Sequence, residues 1–191
     1  MRIAIVGNSG SGKSTLAARL QKLTGAMVLD LDTVAWAPSV GADAAGVPTR
    51  REHAIAAADV RAWCERAEAR GGWIVEGCYA DLIAATLTLR PVLLFLHPGV
   101  ERCVEHCRQR PWEPHKYATA AEQDANLPML LEWVRAYASR PPSDDLSLGA
   151  HRSLFDRYEG PKHLITSDVA CEEAIAYCVA HRSTAPRDEP T

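Results

Sequence analysis

Short apolar runs, each bounded by polar or glycine-containing turns, recur along the chain and predict β-strands. They lie at residues 2–6, 27–29, 73–75, 92–96 and 163–165. The fourth run is apolar at every position, which is typical of a strand buried on both faces of a parallel sheet. The segments between the runs are long enough to return the chain to the same end of such a sheet.

Those intervening segments repeat apolar residues at helical spacing and predict helices. The helices are expected at residues 13–23, 51–70, 99–109, 119–139, 147–158 and 171–181. Thr49 with Glu52, and Thr119 with Glu122, have the spacing of an N-terminal capping box, whereas Pro128 should perturb the fourth helix. Alternation of strand and helix predicts an α/β fold whose mostly parallel sheet is covered by helices.

Chain length and the remaining segments complete the predicted domain plan. The 191 residues give room for one domain, which we place at residues 1–182. Residues 38–48 and 110–116 are rich in proline, glycine or mixed polar residues and predict loops. The tail at 183–191 is expected to be disordered.

Composition excludes several classes of function. Apolar residues make up 47% of the chain and charged residues 24%, as in an ordinary soluble globular protein. A net charge of -3 gives no general attraction to nucleic acid or anionic lipid. No apolar run approaches the roughly 18 residues that a membrane span requires, and no signal peptide is recognisable. We therefore expect a cytoplasmic protein without a nucleic-acid or membrane partner, whose six cysteines are reduced thiols.

The most specific motif follows the first predicted strand directly. Residues 7–14 read GNSGSGKS and match G-x-x-x-x-G-K-[ST], the P-loop or Walker A motif, between a strand and a helix. Glycines allow backbone N–H groups to converge on phosphate oxygens, and the helix beginning at Lys13 adds the positive end of its dipole. Lys13 is expected to reach the β- and γ-phosphates, and Ser14 to hold Mg²⁺. The predicted nucleotide-binding residues are Gly7, Asn8, Ser9, Gly10, Ser11, Gly12, Lys13, Ser14 and Thr15.

Carboxylates follow the second and third strands, where ligands collect in open α/β sheets. The second strand leads into Asp30 and Asp32, and the third ends at Glu76. The fourth ends in Leu96, His97 and Pro98 without a carboxylate. Protein partners of the metal ion are therefore expected from the second and third strands.

Taken together, residues 7–15, the Asp30-Leu31-Asp32 run with Trp36, and residues 73–79 resemble a known family. They are similar to the nucleoside-monophosphate-kinase-like P-loop kinases of the adenylate kinase and shikimate kinase group, in particular small kinases described as DNA topology modulation proteins. The resemblance extends over roughly residues 1–180. It implies a three-layer α/β/α fold with a five-stranded parallel sheet in the order 2-3-1-4-5, and a helical lid at about residues 108–142.

The resemblance also implies roles for individual residues. Asp32 would touch the acceptor hydroxyl or the metal, and Glu76 would orient Mg²⁺, giving a metal set of Ser14, Asp32 and Glu76. Arg108 and Arg110 would close over the nucleotide from the lid, so that the catalytic set is Lys13, Asp32, Arg108 and Arg110. The acceptor side would include Asp32, Trp36, Glu76, Gly77, Tyr79 and Arg152.

These features predict an ATP- and Mg²⁺-dependent phosphotransferase that acts on a small acceptor, either a nucleotide or a hydroxyl metabolite. A regulatory protein that binds ATP without phosphorylating a small molecule is the alternative, and a polar cleft beside Asp32 would favour the kinase. Cys103 and Cys107 lie four residues apart beside valines, a pattern that favours packing over a zinc site. No basic stripe supports contact with DNA.

Overall fold

The computed structural model describes residues 1–37, 49–114 and 117–181. The loop predicted at 38–48, two residues of the loop at 110–116 and the tail predicted to be disordered at 183–191 lie outside the described residues. Within the described part, five strands form one parallel sheet in the order β2-β3-β1-β4-β5. This order and the helical layers on the two faces confirm the predicted three-layer fold. The strands are β1 (Arg2–Gly7), β2 (Met27–Asp30), β3 (Trp73–Gly77), β4 (Val92–Leu96) and β5 (Lys162–Ile165).

Eight α-helices connect the described strands or follow them. They are α1 (Lys13–Thr24), α2 (Asp32–Ala35), α3 (His53–Glu68), α4 (Ala80–Ala84), α5 (Val100–Arg108), α6 (Ala120–Arg135), α7 (Leu148–Arg157) and α8 (Asp168–Ala180). Short 3₁₀ turns lie at Leu87–Leu89 and Ala136–Ala138. None of the described helices combines the length and apolarity needed to span a bilayer.

Alternating side chains of β1 divide the core between the two faces of the sheet. Ala4 and Val6 belong to the core covered by α3, α4 and α7, whereas Ile3 and Ile5 belong to the core covered by α1 and α8. A third, smaller cluster joins α5 to α6 through Cys103, Cys107 and Val134. The two thiols are 2% and 3% exposed, as the packing interpretation of their spacing predicts, and all six cysteines are free.

Two helices start more than one residue away from the predicted position. Helix α3 begins at His53, and its N-cap residue is Glu52, whose side chain makes no capping hydrogen bond. The capping box expected at Thr49 and Glu52 is therefore wrong. Helix α8 begins three residues early because the Ser167 hydroxyl accepts a hydrogen bond from the Ala170 N–H.

The cap expected for α6 is present. Thr119 accepts a hydrogen bond from the Glu122 N–H at 3.1 Å. Pro128 lies inside the continuous helix. The sequence pattern did not reveal α2 and α4, which are only four and five residues long. Both follow strand ends that carry acidic residues, so they help to shape the site.

Candidate active site

The P-loop forms a turn between β1 and α1 that only glycine fits at several positions. Gly10 and Gly12 have φ angles of 75° and 96°, in the left-handed region that favours glycine. A Cβ on Gly10 would overlap the Cys103 carbonyl, and one on Gly7 would lie 2.5 Å from the Leu96 carbonyl oxygen. Close approach thus requires glycine at Gly7, against β4, and at Gly10, against α5, whereas Gly12 is required by its positive φ.

Two side chains hold this turn against the helices of the third core cluster. The buried Asn8 side chain donates to the Val134 carbonyl of α6 at 3.1 Å and accepts from the Ser9 N–H at 2.9 Å. His106 of α5 donates from Nδ1 to the Gly10 carbonyl at 2.8 Å. Asn8, which the sequence predicts to bind nucleotide, is 2% exposed. Its side chain is used in these contacts, which hold the loop. The anchoring role of His106 had no signal in the sequence.

The Lys13 ammonium lies at the centre of the site. Its Nζ donates to the Asn8 carbonyl at 3.0 Å and lies 3.3 Å from the Cys78 Sγ. Burial opposes its charge, but the neighbouring Cys78, Glu76 and Asp32 outweigh that effect and raise the pKa of Lys13. The group therefore stays positively charged at neutral pH, as phosphate binding requires.

Glu76 and Ser14 are two of the three residues that the resemblance assigned to the metal, and the third, Asp32, lines the same cleft. The Ser14 hydroxyl donates to Glu76 Oε1 at 2.6 Å. Burial raises the pKa of Glu76, against the opposing influence of Lys13 and the Ser14 hydrogen bond. No cluster of three or more His, Cys, Asp or Glu side chains placed to hold a metal occurs in the described part of the chain. The Ser14 and Glu76 oxygens fit Mg²⁺, which is commonly held by one or two protein oxygens together with phosphates and water.

Asp32 is held by a directed chain of hydrogen bonds. The Trp36 Nε1–H donates to the Tyr79 hydroxyl at 2.8 Å, and that hydroxyl donates to Asp32 Oδ1 at 2.6 Å. Tyr79 is 4% exposed, and the Arg50 guanidinium covers its ring with 4.6 Å between the guanidinium carbon and the ring centroid. The structure therefore places Tyr79 as a support for Asp32.

Gly77, expected on the acceptor side, lines the cleft next to these residues. A Cβ at this position would lie 2.8 Å from the Leu31 Cβ. Only glycine therefore lets β3 pass this close to the turn that follows β2.

A cleft of about 630 Å³ connects these groups along the carboxyl edge of the sheet. Asp30, Asp32 and Glu76 line one side, which we call the acidic end. The P-loop and Arg110 form what we call the phosphate end, and the cleft continues past Arg102 to Ser167 and Asp168. Its volume lies within the usual range for small-molecule sites.

Four arginines, at positions 102, 108, 110 and 152, have different positions relative to the cleft. Arg110 donates to Ser9 Oγ at 3.3 Å and to Glu113 at 3.1 Å, so the structure brings it to the P-loop. Arg102 lines the cleft and pairs with Asp168 at 3.0 Å. Arg108 is exposed on α5, 4.0 Å from Glu105, and Arg152 is exposed on α7. Neither Arg108 nor Arg152 is among the described residues that line the cleft.

A buried histidine supports the turn after β3. His151 has no exposed surface, and burial lowers its pKa to about 4, despite a hydrogen bond with the Cys78 carbonyl. The neutral ring donates from Nε2 to that carbonyl at 2.6 Å, so its Nδ1 accepts from the Tyr137 hydroxyl at 2.6 Å. These hydrogen bonds connect the turn at Cys78 to the segment that follows α6. The spacing of residues in the sequence did not predict this network.

Comparisons with known proteins agree with this fold and motif. A family model described as an AAA domain matches residues 3–127. Among solved structures, a sugar kinase from Janibacter sp. HTCC2649 has a TM-score of 0.56 at 16% identity, and the match covers 97% of this chain and 98% of that chain. A shikimate kinase from Bacteroides thetaiotaomicron has a TM-score of 0.50 at 12% identity, covering 93% and 95%.

A search of curated proteins gave no match. At these identities the structural similarities establish the fold, whereas the family model matches about two thirds of the chain. The chain belongs to the AAA-domain family of P-loop proteins and has the fold of the nucleoside-monophosphate-kinase-like group.

Proposed function

We propose that this protein is an ATP- and Mg²⁺-dependent phosphotransferase for a small acceptor. The observation that carries the proposal is the continuity of the cleft from the P-loop to Asp32. A turn suited to bind phosphate and a carboxylate able to orient a hydroxyl thus share one cavity that polar and charged side chains help to line. Such a cavity favours a kinase over a regulatory protein that only binds ATP.

The phosphate end supplies charge compensation. Lys13, the P-loop N–H groups and the amino end of α1 would contact the β- and γ-phosphates. Ser14 and Glu76 would hold Mg²⁺, which neutralises charge on the transferred group when it is bound. Arg110 already lies beside Ser9, so a small movement would bring its guanidinium to the phosphate oxygens.

Asp32 would act at the acceptor. The acceptor oxygen forms a bond to the terminal phosphorus while the bond from that phosphorus to the ADP oxygen breaks. The hydroxyl proton passes to the Asp32 carboxylate, whose orientation is fixed by Tyr79. Phosphoryl transfer depends mainly on such positioning and charge compensation, and the geometry of this cleft offers both.

Acceptor-dependent ADP release from Mg-ATP, measured against a broad panel of hydroxyl compounds and nucleotides, tests the proposal. We expect at least one compound to accelerate ADP release well above the hydrolysis of ATP alone, with a phosphorylated product visible by ³¹P NMR. Folded protein that binds Mg-ATP in calorimetry but shows no acceptor-dependent release would contradict the proposal.

A further inference from the structure

An amide side chain of α6 contacts the segment that carries Arg110, which we call the Arg110 segment (residues 110–113). The Gln123 side-chain oxygen accepts from the Glu113 N–H at 2.8 Å. Gln123 Nε2 donates to the Pro111 carbonyl at 3.1 Å and lies 3.5 Å from the Arg110 carbonyl oxygen. All four residues of the Arg110 segment are described, and they lie outside helices and strands. Contacts made by side chains therefore determine where its backbone lies.

The Arg110 segment contains both the guanidinium and the carboxylate that orients it. Arg110 donates to Glu113 at 3.1 Å and to Ser9 Oγ at 3.3 Å, and 25% of its side chain is exposed. Gln123 holds the backbone N–H of the same Glu113. It therefore fixes the arginine in two ways, through the backbone from which the side chain projects and through the residue with which the guanidinium pairs.

Helix α6 also connects the Arg110 segment to the P-loop. The structure describes every residue of α6, and Val134 is the one among them that is buried. Its side chain packs against α5, and its carbonyl accepts from the Asn8 side chain. Gln123 lies eleven residues before Val134, about 16 Å along the helix. The helix is thus anchored to the P-loop near its carboxyl end, and a rotation about that anchor would move Gln123 and the Arg110 segment together.

We infer that Gln123 is a positioning residue for Arg110 in phosphoryl transfer, an inference that rests on the proposed function. Its amide does not need to touch a phosphate. It holds the Arg110 segment so that the guanidinium loses little conformational freedom when it pairs with phosphate oxygens, and such preorganisation strengthens binding. A side chain of similar length without the amide would leave the guanidinium intact but less often in place.

A double-mutant cycle between Gln123 and Arg110 tests this inference. Gln123→Met keeps the approximate length of the side chain and removes its hydrogen bonds, and we expect kcat of acceptor-dependent ADP release to fall by about 5-fold. With Arg110→Ala already present, the same change should lower kcat by less than about 2-fold, because no guanidinium is left to position. Losses that multiply in the double variant would overturn the inference.

Two further measurements do not depend on finding the acceptor. The affinity for a non-hydrolysable Mg-ATP analogue, measured by calorimetry, should fall by about 3-fold in Gln123→Met and by less when Arg110→Ala is present. The Glu113 N–H should exchange with deuterium at least about 10-fold faster in Gln123→Met, measured by NMR. Unchanged exchange at Glu113, or an effect on affinity that is the same with and without Arg110, would overturn the inference.

Asn126→Leu is the matched control, because Asn126 lies one turn further along α6 and its amide donates to the Glu122 carbonyl of the same helix. This variant should leave kcat, the affinity for the analogue and the exchange rate at Glu113 unchanged. Equal changes in Asn126→Leu and Gln123→Met would indicate general loosening of α6 and would overturn the role of Gln123. If no panel compound reacts, that result counts against the proposed function, and the calorimetric cycle and the exchange rate decide the role of Gln123.

Discussion

The two ends of the cleft are built in different ways. The phosphate end comes largely from one contiguous run, residues 7–14, and the groups proposed to bind phosphate there are mainly backbone N–H groups whose positions depend on the glycine conformations. The acidic end is assembled from side chains of β2, α2 and β3, with Asp32 held through Tyr79. Function at the phosphate end should therefore depend on the cations Lys13 and Arg110 and on the shape of the loop, whereas function at the acidic end should depend on a hydrogen-bonded network.

Removal of the central cation should produce the largest effect. Lys13→Ala deletes the ammonium that lies between the P-loop backbone and Glu76. The negative charge on the transferred phosphoryl group would then lack its main positively charged partner in the protein. We expect kcat/KM to fall by at least about 10³-fold, measured by acceptor-dependent ADP release. Lys22→Ala, an exposed position in the last turn of the same helix, is the control and should change the rate little. An active Lys13→Ala enzyme would contradict the assignment of the phosphate end.

At the acidic end, effects should decrease with distance along the hydrogen-bonded chain. Asp32→Asn removes the carboxylate that we propose accepts the hydroxyl proton and should lower kcat by about 10²-fold. Tyr79→Phe leaves the carboxylate but removes its orienting hydroxyl, with an expected loss of about 10-fold. Trp36→Phe acts one hydrogen bond further away and should have the smallest effect of the three.

Steady-state kinetics with the three variants would check that order. Circular dichroism should show that each variant is folded, because Tyr79 is also a core residue. A larger loss for Trp36→Phe than for Asp32→Asn would mean that the network does not converge on Asp32.

This contrast also explains what the sequence could predict. The strands and the P-loop could be predicted because apolar runs and a contiguous motif specify them, whereas the strand order was implied by the resemblance to the kinase family. The support of Asp32 by Tyr79 could not be predicted, since the two residues are 47 positions apart and Tyr79 was expected on the acceptor side. Arg108 and Arg110 were indistinguishable by spacing, yet the end of α5 at Arg108 leaves one exposed and turns the other toward Ser9.

Arg110 and Arg108 offer a matched pair at the phosphate end. Arg110→Ala removes a guanidinium that already contacts the P-loop Ser9, and we expect kcat to fall by about 10-fold. Arg108→Ala removes an exposed group 4.0 Å from Glu105 and should have little effect. The comparison is made with kcat and the apparent KM for ATP in the same preparation series. Equal losses in both variants would show that Arg108 also reaches the nucleotide when it is bound.

The smallest effect on activity is expected at His151, which supports the turn after β3 without lining the cleft. The role of His151 is measured by the free energy of unfolding as a function of pH. Because the pKa of His151 is lowered to about 4 from its ordinary value near 6.5, the unfolded chain binds more protons than the folded chain between these values. The free energy of unfolding should therefore decrease as pH falls from 6.5 to 4, by roughly 3 kcal/mol in total from this group.

His151→Gln tests that assignment, because an amide can donate to the Cys78 carbonyl and accept from Tyr137 but does not titrate. Urea unfolding at a series of pH values should give a flatter dependence for this variant than for the unmodified protein between pH 6.5 and 4. His53→Gln removes an exposed histidine in the same way and is the control for loss of an imidazole outside this network. Parallel curves for His151→Gln and the unmodified protein would show that the ring is not held neutral. If the pH curve of His151→Gln is flatter and its kcat is retained, His151 supports the acidic end without taking part in its chemistry.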